Sequence, residues 1–185
     1  STGMQVLELG QVPTPVLYFA THYLGNGSGV MLTGSHNPPD YNGLKIMIGG
    51  QTLYGDSIQA LRERILSGRL VQGDGEIQSL DVVPSYIERI SSDVRLERPM
   101  KVVIDCGNGV AGMMAPQLFR SLNCEVIELF CEVDGNFPNH HPDPTVLEYI
   151  TDLIAAVKEH GADIGIGYDG DADRVGVVDE NGDVV

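Results

Sequence analysis

The chain has 185 residues, 42% of them hydrophobic, which is enough for one large domain or two small ones. Its formal charge of −15 argues against nucleic acid or an anionic membrane as a partner, and an anionic substrate would need a metal ion or local cations. No apolar run approaches a membrane span, and residues 1–20 lack a signal-peptide pattern. Three cysteines without metal-ligand spacing predict reduced thiols in a cytoplasmic protein: Cys106, Cys124 and Cys131.

The first 80 residues predict a small α/β unit. Thr14 followed by Pro15 is typical of a helix start, with Thr14 as the N-cap. The polar, glycine-rich stretch 67–78 indicates a domain boundary near residue 80. In chain order the pattern predicts a strand, a helix, two strands and a second helix at 4–9, 15–24, 29–32, 44–48 and 56–66.

Residues 81–185 alternate strand and helix patterns, which is typical of a layered α/β unit with a mainly parallel sheet. In such sheets, ligands bind beyond the carboxyl ends of the strands. We therefore expect an α/β fold of two layered units, 1–80 and 81–185, with mixed or mainly parallel sheets between helices. The second unit has predicted helices at 84–94, 110–122 and 144–160, and predicted strands at 101–105, 124–130, 163–168 and 175–179.

The loop between the two central strands of the first unit, within residues 33–45, carries the first candidate site. Its two prolines fix φ and remove two backbone donors, so the loop has few conformations available. That rigidity would present Ser35 and His36 at a defined place, with Lys45 on the next strand. This arrangement fits a covalent phosphoryl or acyl carrier. An ordinary surface loop, in which Ser35 caps a turn and Lys45 is solvated, stays open at this point.

An acidic loop after the strand 163–168 forms the second candidate site. Asp169, Asp171 and Asp173 alternate with small residues, an arrangement that can turn three carboxylates toward one point. Carboxylate oxygens suit a hard divalent cation, Mg²⁺ or Ca²⁺, and three like charges this close are costly without one. The pattern therefore favours a metal site over a solvated acidic turn. Arg174 has a planar donor fork that suits a phosphate, and it would also neutralise the aspartates.

Two other kinds of acidic loop fit less well. An EF-hand needs glycine at its sixth position, where this chain has Arg174, and flanking helices where strands are predicted. A phosphatase of the haloacid-dehalogenase type would use Asp169, directly after a strand, as its nucleophile. That interpretation stays open, but it leaves Asp173 and the serine loop unexplained.

The two candidate sites complement each other. A metal on three aspartates has open positions for an oxygen, and a phosphoryl group on Ser35 would supply one. Phosphoryl transfer depends on positioning and charge neutralisation, so the site needs donors to the phosphoryl oxygens, which Arg174 and His36 would provide. Lys45, if desolvated, would serve as acid or base for a sugar hydroxyl.

Residues 107–112 support a competing hypothesis, because they match the G-x-G-x-x-G pattern of nicotinamide-dinucleotide-binding Rossmann domains. Glu128, at the end of the next predicted strand, stands where a ribose-binding acid would be. The alternative is that a tight strand-to-helix turn needs glycines for its geometry and packing, and we favour that interpretation. A third class, a non-catalytic metal-binding module, would have no use for a carrier serine. His140 and His141 receive no role.

Two further segments accompany the two sites, so the chain carries these motifs: Thr33-Gly34-Ser35-His36-Asn37-Pro38-Pro39, Asn42-Gly43-Leu44-Lys45, Asp105-Cys106-Gly107-Asn108-Gly109, the segment 134–144, and Asp169-Gly170-Asp171-Ala172-Asp173-Arg174. With these motifs the chain closely resembles the α-D-phosphohexomutase superfamily, in particular its bacterial phosphomannomutase/phosphoglucomutase members. The resemblance covers almost the whole chain.

The resemblance implies a phosphoserine at Ser35, Lys45 as general acid/base, and His36 and Arg174 in the phosphate environment. It implies that Mg²⁺ is held by a phosphoserine oxygen and three carboxylates: Asp169, Asp171 and Asp173. The enzymes resembled interconvert the 1-phosphate and 6-phosphate of mannose or glucose through a 1,6-bisphosphate. We expect a monomer.

The resemblance also implies what this chain would lack. The superfamily has four domains, and the chain matches the later part of the first and nearly all of the second. The sugar-recognition loop Gly-Glu-Met-Ser-Gly and the terminal phosphate-binding domain are not found in this sequence. We therefore expect this piece to carry the phosphoserine and Mg²⁺ sites and to be inactive alone.

Overall fold

The structure, a computed structural model, describes residues 3–38 and 40–185. Ser1 and Thr2 of the first predicted unit, and Pro39 of the serine loop, lie outside the described residues. Helices and strands alternate along the chain and form layered α/β structure, so the predicted fold class is confirmed. No helix in the described part is long and apolar enough to cross a membrane.

The first part of the chain builds two small sheets. One pairs β1 with β5 in parallel, and the other is the antiparallel sheet β2-β3-β4. The loop from β2 to β3 holds residues 34–42, so it is a shaped connection and not a tight hairpin. The elements are β1 (Val6–Glu8), α1 (Thr14–Tyr23), β2 (Gly29–Thr33), β3 (Gly43–Ile48), β4 (Gln51–Thr52), α2 (Asp56–Leu66) and β5 (Ile77–Ser79).

The second part is a four-stranded sheet in the order β7-β6-β8-β9, in which only the β8–β9 pair is antiparallel. This agrees with the mainly parallel sheet that the sequence predicts. Its elements are α3 (Val83–Asp93), β6 (Lys101–Asp105), a 3₁₀ helix (Val110–Met113), α4 (Ala115–Ser121), β7 (Glu125–Leu129), a second 3₁₀ helix (Leu147–Ile150), α5 (Thr151–His160), β8 (Ile164–Tyr168) and β9 (Val175–Asp179).

Strand β6 is buried on both faces, as the central strand of a three-layer unit must be. Val102 and Ile104 pack toward α4, whereas Val103 packs toward Leu153 and Val157 of α5. A third cluster joins residues on both sides of the predicted boundary near residue 80, among them Val16 of α1 and Ile87 of α3. The boundary itself stays a prediction.

Two predicted helices are shorter than expected. The helix predicted at 110–122 is interrupted at Met114, because Pro116 has no N–H to continue it and Gly112 packs tightly against another loop. A Cβ on Gly112 would lie 1.9 Å from the carbonyl oxygen of Cys131. The helix predicted at 144–160 is wrong at its start, since Asp143 accepts the N–H of Thr145 at 3.1 Å and forms a turn there.

Asp105, at the carboxyl end of β6, anchors the loop that carries the two histidines. Its buried carboxylate lies 3.1 Å from His140 Nε2 and accepts the Gly107 N–H at 2.9 Å. His140 Nδ1 lies 3.0 Å from the carbonyl oxygen of His141. Both partners of the ring are acceptors, so this geometry favours the doubly protonated, imidazolium form of the ring. Burial disfavours this charge, but the bonds to Asp105 and His141 outweigh it and raise the pKa of His140.

We expect His140→Gln to remove a pH dependence of stability. A raised folded-state pKa stabilises fully below the unfolded value of about 6.5, and the contribution is lost as pH rises through the folded value. Melting temperatures measured between about pH 6 and 9 should therefore fall in the wild type and change less in the variant. His22→Gln, at an exposed position of α1, is the control and should keep the wild-type slope. Equal slopes in all three proteins would contradict the ion pair.

Candidate active site and metal centre

The acidic loop is a turn between β8 and β9 that folds around one buried carboxylate. Asp169 is fully buried, and its Oδ1 accepts the N–H groups of Asp173 at 3.0 Å and Arg174 at 3.1 Å. The Ala172 N–H donates to the Asp169 carbonyl oxygen at 3.0 Å, and Ala172 has a positive φ of 59°. The alternation of acidic and small residues thus folds into a tight loop because the first aspartate satisfies the backbone of the later residues.

The serine loop touches this turn directly. A Cβ on Gly170 would lie 2.3 Å from the carbonyl oxygen of Ser35, so only glycine permits the approach. Ser35 itself has a φ of 55°, a conformation that L-residues seldom adopt, and its N–H donates to Thr33 Oγ1 at 2.8 Å. The strained residue is held by contacts on both sides, which is common where a side chain must be presented for chemistry.

The hydroxyl of Ser35 meets three of the groups that the sequence singles out. Its Oγ donates to Asp169 Oδ2 at 3.1 Å and accepts from Arg174 Nη2 at 2.7 Å. His36 Nδ1 lies 3.3 Å from the same oxygen. Residues 134 positions apart in sequence are therefore in contact around one hydroxyl.

Arg174 links the serine loop to the acidic loop. Its Nε donates to Asp169 Oδ2 at 3.0 Å, and its Nη2 contacts both Ser35 Oγ and His36 Nδ1. The guanidinium therefore neutralises a buried aspartate and faces the serine at the same time. The far side of His36 lies toward Asp143, with Nε2 3.8 Å from its Oδ2.

Lys45, on β3, lies against the other two aspartates. Its Nζ donates to Asp171 Oδ2 at 2.6 Å and to Asp173 Oδ2 at 2.5 Å. Burial disfavours its charge, but the two hydrogen bonds and the two negative charges outweigh burial and raise the pKa of Lys45. Lys45 is therefore an ammonium at neutral pH, and not a solvated strand residue.

The carboxylates of Asp169 and Asp171 differ in protonation behaviour. Burial, with the negative charge of Asp171, raises the pKa of Asp169 above its ordinary range. Burial acts on Asp171 in the same sense, but the hydrogen bonds from Lys45 and Thr14 outweigh it and lower the pKa of Asp171.

A divalent cation fits this cluster. The three aspartates each offer an oxygen, and those oxygens lie within 4.8 Å of one another. Oδ1 of Asp171 is buried, and within residues 3–38 and 40–185 it has no hydrogen-bond partner. A buried carboxylate oxygen without a partner is costly, and a hard cation is the ligand that would satisfy it.

One contact in the site is not predicted from the sequence. Thr14 does not cap α1, because Pro13 stands at the N-cap position and no side chain caps that end. The Thr14 hydroxyl instead donates to Asp171 Oδ2 at 2.6 Å. The Thr-Pro signature is local and gives no signal of a partner 157 residues away.

The glycine-rich segment 107–112 is packed against other backbone. The Val110 N–H donates to the Gly170 carbonyl oxygen at 3.1 Å, and the Asn108 N–H to that of Phe130 at 2.8 Å. These N–H groups, which a dinucleotide pyrophosphate would need, are already paired. Glu128 forms an ion pair with Arg120. The geometry agrees with the packing interpretation of the glycines and not with a Rossmann site.

Comparison with known proteins decides the family. The family model described as "Phosphoglucomutase/phosphomannomutase, alpha/beta/alpha domain II" matches residues 84–182, and the corresponding domain I model matches residues 1–71. The chain belongs to the phosphoglucomutase/phosphomannomutase family. The resemblance stated from the motifs is thereby confirmed, and membership of this family argues against the dinucleotide-binding alternative.

Relatives and solved structures agree with this assignment. The chain is 58% identical over 183 residues to the phosphomannomutase/phosphoglucomutase of Pseudomonas aeruginosa PAO1, covering 99% of this chain and 40% of that protein. It is 52% identical over 186 residues to a phosphoglucomutase of Neisseria gonorrhoeae, covering 100% of this chain and 40% of that protein. A family protein of Burkholderia thailandensis has a similar structure, with a TM-score of 0.91 and 47% identity over 98% of this chain and 41% of that one.

The chain thus spans about 40% of the length of the curated relatives it matches. Both family domains that it matches contribute to the cluster, since Ser35 and Lys45 lie in the domain I match and Asp169 and Arg174 in the domain II match. If the chain is divided as the two family models divide it, the residues around Ser35 come from both domains.

We expect Lys45→Met to destabilise the metal-free protein and to increase its response to Mg²⁺. Without the ammonium, the carboxylates repel one another, so the free energy of unfolding in chelator should fall by about 1 kcal/mol. Such a loss lowers the melting temperature by about 2–4 °C per kcal/mol. Added Mg²⁺ should raise the melting temperature by more in the variant than in the wild type.

Lys101→Met is the matched control, because Lys101 also lies on a strand and its Nζ pairs with Glu125 Oε1 at a distance of 3.3 Å. This ion pair does not involve the acidic loop. Lys101→Met should leave the Mg²⁺ response unchanged. An identical Mg²⁺ response in the Lys45 variant and the wild type would contradict the charge balance described above.

Proposed function

We propose that this chain carries the phosphoserine and metal half of a phosphohexomutase active site. The proposal rests on the contacts of Ser35 Oγ, which meets Asp169, Arg174 and His36. The loop that carries Ser35 packs against the acidic turn. A hydroxyl presented among a cation, an imidazole and a carboxylate cluster is suited to hold and pass on a phosphoryl group.

In this proposal Ser35 is the covalent carrier. When a sugar phosphate gives its phosphoryl group to Ser35, the bond between phosphorus and the sugar oxygen breaks and a bond to Ser35 Oγ forms. The hydroxyl proton of Ser35 leaves to Asp169 Oδ2, which already accepts the hydrogen bond of this hydroxyl at 3.1 Å. His36 Nδ1, 3.3 Å from Oγ, belongs to the surroundings of the phosphoryl group. Arg174, already within 2.7 Å of Oγ, stabilises the negative charge on the phosphoryl oxygens.

Lys45 is the proposed general acid and base. Its raised pKa keeps it protonated at neutral pH, so it gives a proton to the sugar oxygen as the phosphoryl group departs to Ser35. In the opposite transfer, from phosphoserine to a sugar hydroxyl, the same residue takes that proton back.

We propose Mg²⁺ as the cofactor, held by a phosphoserine oxygen on Ser35 and by Asp169, Asp171 and Asp173. When bound, the ion would neutralise charge on the transferring phosphoryl group. The ligand set is all oxygen, as Mg²⁺ prefers, and Asp171 Oδ1 is the buried oxygen that needs such a partner.

The proposed reaction interconverts the 1-phosphate and 6-phosphate of a hexose, mannose or glucose, through a 1,6-bisphosphate. Membership of the family supports this reaction. So do the names of two relatives, a phosphomannomutase/phosphoglucomutase and a phosphoglucomutase. Because the chain spans about 40% of their length, we propose that it accepts a phosphoryl group but does not complete turnover alone. We further propose that the protein is a cytoplasmic monomer that binds neither nucleic acid nor membrane.

The test is the intact mass and peptide map of residues 29–45 before and after treatment with glucose 1,6-bisphosphate and Mg²⁺. We expect one phosphoryl group on Ser35, absent in Ser35→Ala and reduced in Arg174→Lys, which loses the fork that faces Oγ. Ser28→Ala, a loop serine upstream of β2, is the control and should be loaded like the wild type.

Ser35 unmodified in this chain and in a full-length relative would contradict the carrier role and leave a non-catalytic metal-binding module as the better interpretation. Loading of the full-length relative alone would retain the carrier and show that the other domains are needed to deliver the phosphoryl group.

A further inference from the structure

Thr14 connects the start of α1 to the acidic loop by two hydrogen bonds to one residue. Its hydroxyl donates to Asp171 Oδ2 at 2.6 Å, and its backbone N–H donates to the Asp171 carbonyl oxygen at 2.9 Å. Thr14 is fully buried, and Asp171 is 4% exposed. A two-point contact of this kind, shielded from water, fixes both the backbone and the side chain of Asp171.

The contact involves one carboxylate oxygen of Asp171 and not the other. Oδ2 is occupied by Thr14 and by Lys45, which donates at 2.6 Å. Oδ1 is the buried oxygen that finds no hydrogen-bond partner in the described part of the chain. A twist of the carboxylate plane would move Oδ2 out of line with the Thr14 hydroxyl, so the hydrogen bond from that hydroxyl opposes such a twist in this buried place.

We propose that Thr14 is a positioning residue that orients Asp171 so that Oδ1 serves as the metal ligand. The inference rests on the metal role proposed above. Thr14 contacts Asp171 and would act on the metal only through it. Lys45 binds the same oxygen but is a flexible, partly exposed side chain, so the short buried hydroxyl is the more rigid of the two restraints.

The position of Thr14 gives the contact a second consequence. Thr14 lies within the domain I match and Asp171 within the domain II match. In this proposal Thr14, the first residue of α1 in the domain I match, orients Asp171, a metal ligand in the domain II match. Partners that orient metal ligands typically contribute about 10–100-fold to metal affinity, which sets the scale of the expected effect.

The experiment measures Mn²⁺ binding by electron paramagnetic resonance on the 185-residue chain, with unfolding by urea in chelator recorded for each variant. Thr14→Val removes the hydroxyl and keeps the side-chain shape, and it should weaken Mn²⁺ binding about 10–100-fold. Thr14→Ser keeps the hydroxyl and should stay close to the wild type. If Thr14→Val does not fold, Thr14→Ala against Thr14→Ser carries the same comparison.

Thr21→Val is the matched control. Thr21 is a second buried threonine on α1, and its hydroxyl contacts the Tyr18 carbonyl oxygen and Met47 Sδ instead of the acidic loop. It should lose stability in urea while keeping wild-type Mn²⁺ affinity. A purely structural role for Thr14 would make the two valine variants behave alike.

Two outcomes overturn different statements. Wild-type affinity in Thr14→Val, or equal weakening in Thr14→Val and Thr21→Val, overturns the positioning role and leaves the metal site intact. Absence of Mn²⁺ binding in the wild type, or binding that persists unchanged in Asp173→Asn, overturns the proposed metal site and this inference with it.

Discussion

The structure depends on the burial of two neighbouring carboxylates, Asp169 and Asp171, in one tight turn. Buried like charges repel, and the cost is acceptable only when cations and donors compensate it. The chain supplies Arg174 to the first and Lys45 to the second, at 3.0 and 2.6 Å. Lys45 comes from the strand that follows the serine loop, so the electrostatic requirement of the turn also brings Ser35 to it.

The same contacts hold the hydroxyl of Ser35 in a fixed place. The serine loop approaches the acidic turn until backbone meets backbone at Gly170, and Ser35 takes a strained conformation there. The strain is balanced by hydrogen bonds on both sides of the residue. Burying the two aspartates and holding Ser35 at a positive φ both cost free energy, and the contacts between the two loops offset both costs. Such an arrangement is typical of functional sites rather than of ordinary turns.

Local patterns in the sequence were sufficient for much of the fold. The amphipathic helix Asp56–Leu66 and the buried strand Lys101–Asp105 agree with the prediction at both ends, because their patterns are strong and uninterrupted. Strand β5 is not predicted from the sequence, since its three exposed residues pair with β1 about 70 positions earlier. Thr14 was misread for a related reason: a cap is a local feature, whereas its real partner belongs to the opposite end of the chain. The motifs indicated which residues lie together around Ser35, but they gave no signal of the contact between Thr14 and Asp171.

The division of the site between the two matched domains has a thermodynamic consequence. Any ligand that contacts Ser35 and the aspartates together binds only the docked arrangement, so its binding energy also stabilises the joint between the domains. By linkage, a substitution in the shared apolar cluster of Val16 and Ile87 that lowers the population of the docked arrangement weakens ligand binding in proportion to that population. Hydrogen exchange at the joint would then report ligand occupancy without any chemistry taking place.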